Sequence, residues 1–247
     1  MTVIDTAGVR KKRHMMTDDV EFYSYHRAQR SVRRADVVLL LVDATLRVAE
    51  PDKKLGQYVS GEMKPTVIVV NKWDLARKLR RDEAQRDNQP MPRDGDLMEE
   101  YRDYIEAELP GLNYAPIAFI SANEGRNVAA LLDACRNLHK AASSRIGTGE
   151  LNRAIERALA ERTPGGGKGG RRRPKVYYAT QVKTNPPHIV VFVNDPDLFD
   201  EGYKRFLTNR LRDELPIGDL PMRMTLRARR RDDDAEEKRQ GRWRDPQ

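Results

Sequence analysis

The chain has 247 residues, 38% of them apolar and 34% charged, so a core can be buried beneath a very polar surface. Lysine and arginine number 46 against 38 aspartate and glutamate, a net charge of +8, which tilts the expected partner toward nucleic acid or another polyanion. The longest apolar run, VVLLLV, is far short of the ~20 residues a membrane helix needs, no signal-peptide pattern opens the chain, and a single cysteine cannot close an internal disulfide, which suits a reducing cytoplasm.

In chain order, TVI (2–4) reads as a strand and HRAQRSVRRA (26–35) as a basic helix. DVVLLLVDA (36–44) is a short continuous apolar run flanked by aspartate, the pattern of a parallel strand buried on both faces. PDKKLGQYVSGE (51–62) is helical and PTVIVVNK (65–72) is a second buried strand. Residues 76–96 carry little apolar content and read as a solvated insertion. LMEEYRDYIEAEL (97–109) is helical, PIAFISA (116–122) a third buried strand, and NVAALLDACRNLHKAA (127–142) a helix that uses Cys135 as a small core residue. Alternation at this spacing implies a parallel sheet covered by helices, an α/β domain over residues 1–142.

A different pattern follows. TGELNRAIERALAER (148–162) reads as an amphipathic helix with Thr148 as its N-cap. TPGGGKGGRRRP is a flexible basic linker. KVYYATQV (175–182) and HIVVFVN (188–194) are strands, Leu198 to Leu215 is a helix, and MRMTLRAR (222–229) is a last strand. That order predicts a small α+β domain over 143–229, and the charged tail 230–247 is expected to be disordered.

Three motifs sit where open α/β sheets place ligands, at strand ends. In DTAG (5–8), the Asp5 carboxylate can hold Mg²⁺ through water, and the Gly8 amide can meet a γ-phosphate because no side chain blocks it. In NKWD (71–74), the Asp74 carboxylate can accept from the N1–H and exocyclic amino group of guanine, two donors adenine does not offer. Asn71 would brace that loop and the Lys72 stem would lie on the base face. In ISAN (120–123), a backbone amide near Ala122 can donate to the guanine O6.

With these motifs, and with VEFYSYHRAQRSVRRADVVLLLVDA and YYATQVKTNPPHIVVFVND, the chain resembles the EngA/Der group of bacterial GTPases from Thr2 to about Arg229. The resemblance implies a P-loop GTPase domain followed by a KH-like domain, GTP or GDP and Mg²⁺ as cofactors, and a role in assembly of the large ribosomal subunit with rRNA as partner. It also carries nucleotide contacts to Asp5, Thr6, Ala7, Gly8, Val9, Asn71, Lys72, Trp73, Asp74, Ser121, Ala122 and Asn123, with Asp5 on the metal.

The pattern G-x-x-x-x-G-K-[ST] does not occur in the sequence, and GGGKGG (165–170) has neither the spacing nor a preceding strand. The expectation is a chain that starts late relative to that family, lacks phosphate loop and switch segment, and turns over no GTP alone. The alternative is a nucleotide-incompetent module that docks on RNA. A GxxG loop between two helices, the usual KH clamp, is absent from the second domain. Docking would then rest on Arg33, Arg34, Arg171–Arg173, Lys175, Lys204, Arg205, Arg210 and Arg227–Arg231.

Overall fold

The computed structural model describes residues 2–6, 18–165 and 173–229, with side chains from 25 onward in the first helix. The chain splits into two compact units, Met1–Ser143 with Asp219–Pro221, and Ser144–Gly218 with Met222–Gln247.

The first unit runs α1 (Asp18–Arg34), β1 (Val38–Asp43), α2 (Glu50–Gly61), β2 (Thr66–Asn71), α3 (Trp73–Arg86), α4 (Asp94–Glu108), β3 (Ile117–Phe119), a 3-10 turn at Ala122–Glu124, and α5 (Val128–Ser143). The strands form one sheet in the order β1-β2-β3 with both pairings parallel. Apolar side chains recur without polar interruption in β2 because both of its faces are buried; Val67, Ile68, Val69 and Val70 are all 2% exposed or less. On one face Leu40, Val42 and Ile68 meet Val59, Ile105, Leu109 and Leu112. Beside them Val70, Trp73, Leu97 and Phe119 form a second cluster. Cys135 is buried in α5, as expected, and burial pushes its thiol up.

The second unit runs α6 (Thr148–Glu161), β4 (Val176–Lys183), β5 (His188–Val193), a 3-10 turn at Pro196–Leu198, α7 (Glu201–Glu214) and β6 (Arg223–Ala228). Its sheet order is β4-β5-β6, antiparallel then parallel. The helices bury Leu151, Ile155, Ala158, Tyr203, Leu207 and Leu211, and the sheet contributes Ala179, Ile189, Val191 and Val193. Asn152 Oδ1 accepts from Ala179 N at 2.7 Å and its Nδ2 donates to Ala179 O at 3.1 Å, so α6 is keyed to β4 by one side chain.

The α/β class and the α+β order stand, but several local expectations do not. Residues 2–6 form no strand; Val3 is 73% exposed and Ile4 45%. β-branched residues favour extended backbone, but a strand exists only where a neighbour takes its hydrogen bonds. Residues 76–96 are solvated as expected, with only Ala76 and Ala84 buried, but they are regular: α3 fills the segment to Arg86 and α4 begins at Asp94. Few apolar residues are needed there because Arg77 and Arg81 bind Asp94 at 2.6 and 3.0 Å, and Arg80 binds Glu100 at 2.7 Å. Thr148 is the first helical residue of α6, and Gly147 is its N-cap. α7 starts at Glu201, where the Asp200 carboxylate accepts from Tyr203 N at 2.6 Å and sets the boundary. The third strand is only three residues long. Residues 166–172 of the expected linker TPGGGKGGRRRP, and the tail at 230–247, lie outside the described residues.

Candidate functional site

β1, β2 and β3 end together, and their ends are tied crosswise. The parallel register sets Asp43 beside Asn71. Ala44 N donates to Asn71 O at 2.9 Å, and Trp73 N donates to Ile120 O at 3.1 Å. Side chains then close the frame. Asn71 Oδ1 accepts from Lys72 N at 2.8 Å and from Ala122 N at 3.0 Å. Ser121 Oγ accepts from Asp74 N at 3.1 Å. Thus NKWD and SAN, separated by about fifty positions in sequence, form one rigid loop pair.

Each loop has its own lock. Lys72 sits at φ 61°, a left-handed conformation that costs a non-glycine residue about 1–2 kcal/mol. Its amide bond to Asn71 Oδ1 and its carbonyl, which accepts from Leu75 and Ala76 N, hold it there and start α3. The second loop turns through Gly125 at φ 68°, and Ser121 and Arg126 exchange backbone bonds at 3.2 and 3.1 Å. Asn127 Nδ2 donates to Phe119 O at 2.9 Å and ties the loop's far end to β3.

The predicted residues take different parts in this frame. Asn71 braces its own loop, as expected, and the second loop as well. Asp74 is half-buried at the start of α3, with its carboxylate at the edge of an open depression of about 270 Å³ lined also by Arg77, Lys78, Arg81, Asp82 and Arg126. Trp73 turns its ring inward, 4.6 Å from Phe119 and 5.6 Å from Tyr101, so only its backbone is near the loop surface. The Ala122 amide, expected to be a donor for O6, is already taken by Asn71. The next amide in that loop is Asn123 N–H, in the 3-10 turn Ala122–Glu124.

Lys72 does not stand free. Its Nζ lies 2.6 Å from Asp43 Oδ2, while Asp43 Oδ1 accepts from Thr45 N at 2.9 Å and Thr45 Oγ1 at 2.6 Å. Burial pushes the Asp43 carboxyl up, but the hydrogen bonds from Lys72 and Thr45 outweigh it and hold the group below its ordinary value. Asp43 and Thr45 were not singled out in the sequence. The available signal was an acidic residue ending a buried strand that runs parallel to the NKWD strand.

Of the other half of the expected site only two residues are described. Asp5 and Thr6 are exposed and belong to no strand, and Ala7, Gly8 and Val9 lie outside the described residues. Among the described residues no three His, Cys, Asp or Glu side chains converge on a point that could hold a metal. Asp5 therefore has no described co-ligand for Mg²⁺. Among the described residues, Asp5 and Thr6 alone do not form a Mg²⁺–phosphate site. No described helix is long and apolar enough to cross a membrane.

Comparison with known proteins adds to this geometry. A family model described as the elongation factor Tu GTP binding domain matches residues 19–141. Another, described as the KH-domain-like of EngA bacterial GTPase enzymes, C-terminal, matches residues 145–227. GTPase Der of Rhodopirellula baltica is 42% identical over 240 residues, 97% of this chain and 49% of that protein. GTPase Der of Natranaerobius thermophilus is 38% identical over 228 residues, 92% of this chain and 48% of that protein. GTPase Der of Moorella thermoacetica is 40% identical over 225 residues, 91% and 47% respectively. The chain thus spans about half the length of the curated relatives it matches. A solved structure of Era in complex with MgGDPNP and nucleotides 1506-1542 of 16S ribosomal RNA covers 91% of this chain and 74% of that chain, at 19% identity and a TM-score of 0.39, a likeness too low to carry function across.

Proposed function

The chain belongs to the EngA/Der family of bacterial GTPases, and on that premise we propose that its first unit reads the guanine base of GTP or GDP and that the chain works in the cytoplasm with rRNA of the large ribosomal subunit during its assembly. One observation carries the base-reading part: the Asn71 carboxamide and the Ser121 hydroxyl tie together the two loops from which Asp74 and Asn123 project. Asp74 would accept from N1–H and the 2-amino group, and Asn123 N–H would donate to O6. Adenine would leave a half-buried carboxylate without donors, which is costly.

Phosphate contacts are another matter. Base contacts alone resemble a fragment site, and rigid-body and ordering costs take up much of their energy. The chain by itself is expected to bind GDP very weakly and to turn over no GTP. A second reading, a docking module with an incompetent nucleotide pocket, is favoured by the exposed, strandless Asp5 and Thr6.

Amide NMR during titration with millimolar GMP or AMP tests the base site. GMP should shift the amides of residues 71–74 and 121–123 and AMP should not; Asp74→Asn should transfer the response to XMP, whose C2 carbonyl accepts from the new amide. Equal response to AMP, or none to GMP, leaves the docking reading. Ribosome pelleting across a salt series tests the rRNA part, which is expected to weaken steeply with salt.

A further inference from the structure

The two sides of the second unit handle charge differently. On the helical side cations meet carboxylates: Arg157 binds Glu214 at 2.6 Å, Arg210 binds Glu161 at 2.7 Å, and Lys204 binds Glu201 at 2.7 Å. Lys204 and Arg210, expected from the sequence to dock on phosphates, are therefore engaged within the fold.

The sheet is unlike this. Pairing sets Lys183, His188 and Arg223 in one row and Tyr178, Phe192 and Arg227 in another, with Thr180, Val190 and Thr225 between them. By the pleat these share the face opposite Ala179, Ile189 and Val191, which are fully buried. Along β6, Arg223, Thr225 and Arg227 are exposed in alternation. β4, β5 and β6 contain no aspartate or glutamate, and among the described residues Lys175, Lys183, Arg223 and Arg227 have no carboxylate partner.

Aromatic rings lie among these cations. Tyr178 stacks on Phe192 with centroids 4.5 Å apart. Arg227 lies 5.8 Å from the Phe192 centroid, and Arg229 lies 5.1 and 5.7 Å from those of Tyr177 and Tyr178. Lys175 lies 5.2 Å from the Tyr177 centroid, and that ring is 39% exposed in a bulge between Val176 and Tyr178. A cation resting on a ring keeps hydrogen-bond donors for phosphate, and an exposed ring offers a face to an unpaired base. The His188 imidazole registers the same field: burial, then Arg223 and Lys183, hold its pKa below the ordinary value, while its Nε2 lies 2.9 Å from Thr225 Oγ1.

We propose that this face of the β4-β5-β6 sheet is a platform for single-stranded RNA, with Lys183, Arg223 and Arg227 on phosphates and Tyr177 stacking on a base. It deepens the rRNA-docking reading, on which it rests, by giving that contact a surface. The absence of carboxylates from the strands selects a polyanion, and the exposed ring selects unpaired bases over a duplex.

The test uses the 247-residue chain and a labelled uridine-rich oligoribonucleotide, with affinity measured by fluorescence anisotropy across a salt series. The triple variant Lys183→Gln, Arg223→Gln, Arg227→Gln should lower affinity about tenfold or more at low salt. Its log–log salt slope should fall by about 2, since each single-strand phosphate contact contributes about 0.7. A control with equal charge loss, Arg102→Gln, Arg136→Gln, Lys140→Gln, should stay within about twofold on the same scale. Tyr177→Leu should weaken binding about tenfold with the slope unchanged. Bound RNA should raise the His188 pKa in NMR titration, because phosphate offsets Arg223 and Lys183. Equal losses in triple and control variants, or an unmoved His188 with RNA bound, would overturn the platform. A duplex bound as tightly as the single strand would overturn the stacking role. If ribosome pelleting survives in the triple variant, the docking reading stands and this face is wrong; if the parent neither pellets nor binds RNA, both fall.

Discussion

Asn71→Ala removes the one acceptor shared by both loops. Two backbone donors, Lys72 N and Ala122 N, lose their partner at 2.8 and 3.0 Å. Both lie near the surface, so water recovers part of each bond, and the loss for each is closer to the net value of about 0.5–1.5 kcal/mol than to the full desolvation penalty. Lys72 also keeps its left-handed backbone without the bond that offsets it. The sum is about 1–3 kcal/mol. The chain has two tryptophans, and Trp73, buried against Phe119, is the one within the described residues, so its emission change follows this unit. With a urea m-value of about 2 kcal/mol per molar, the Trp73 midpoint should fall by about 0.5–1.5 M. Asn71→Asp keeps an oxygen for both donors and should recover most of that drop near neutral pH. A midpoint unchanged in Asn71→Ala would show that the carboxamide does not hold the loops, and the preorganised base site would lose its support.

Asp43→Asn should destabilise the first unit in a pH-dependent way. The folded-state carboxyl is held below its ordinary value, so its contribution is present above about pH 4 and is lost as pH falls through the folded value. The parent–variant gap in urea midpoint should be level from about pH 7 to 5 and close below about 4; a gap that widens on acidification would contradict the Lys72 pairing. Ile105→Ala empties a fully buried position in the first core cluster and should cost about 2–5 kcal/mol, read on the same Trp73 transition. Asp200→Ala removes the acceptor of Tyr203 N and should cost about 1 kcal/mol, seen as faster hydrogen exchange in the first turn of α7 and nowhere in the first unit.

What was legible in the sequence was whatever depends on periodicity and burial. The unbroken apolar run of β2 can only be a strand covered on both faces, and its end fixes where NKWD must sit. α3 was not legible, because its buried positions are small or few: Trp73, Ala76 and Ala84. Its remaining support comes from Asp94 and Glu100 in α4, partners that meet Arg77, Arg80 and Arg81 only once the chain has folded back. TVI erred the other way, since its propensity was clear but a ladder partner is not a property of the segment. Charge behaved similarly. Counting lysines and arginines could not tell Arg210, held by Glu161, from Arg227, which lies over the Phe192 ring.

The candidate site divides along the same line. Every bond that shapes the base-reading frame joins the ends of β1, β2 and β3 or the loops leaving them. None of them involves residues 2–6, which stand exposed. On the proposed reading, base recognition would rest on hydrogen bonds among strands that pair with one another, and it would not depend on residues 2–6. Asp43 extends this frame, because its carboxylate fixes the Lys72 Nζ at the level of Asn71 while the lysine side chain stays half-exposed. With its Nζ held by Asp43, the Lys72 stem would be placed for the face of a base on the proposed reading, so Asp43→Ala should weaken the amide response to GMP without creating one to AMP.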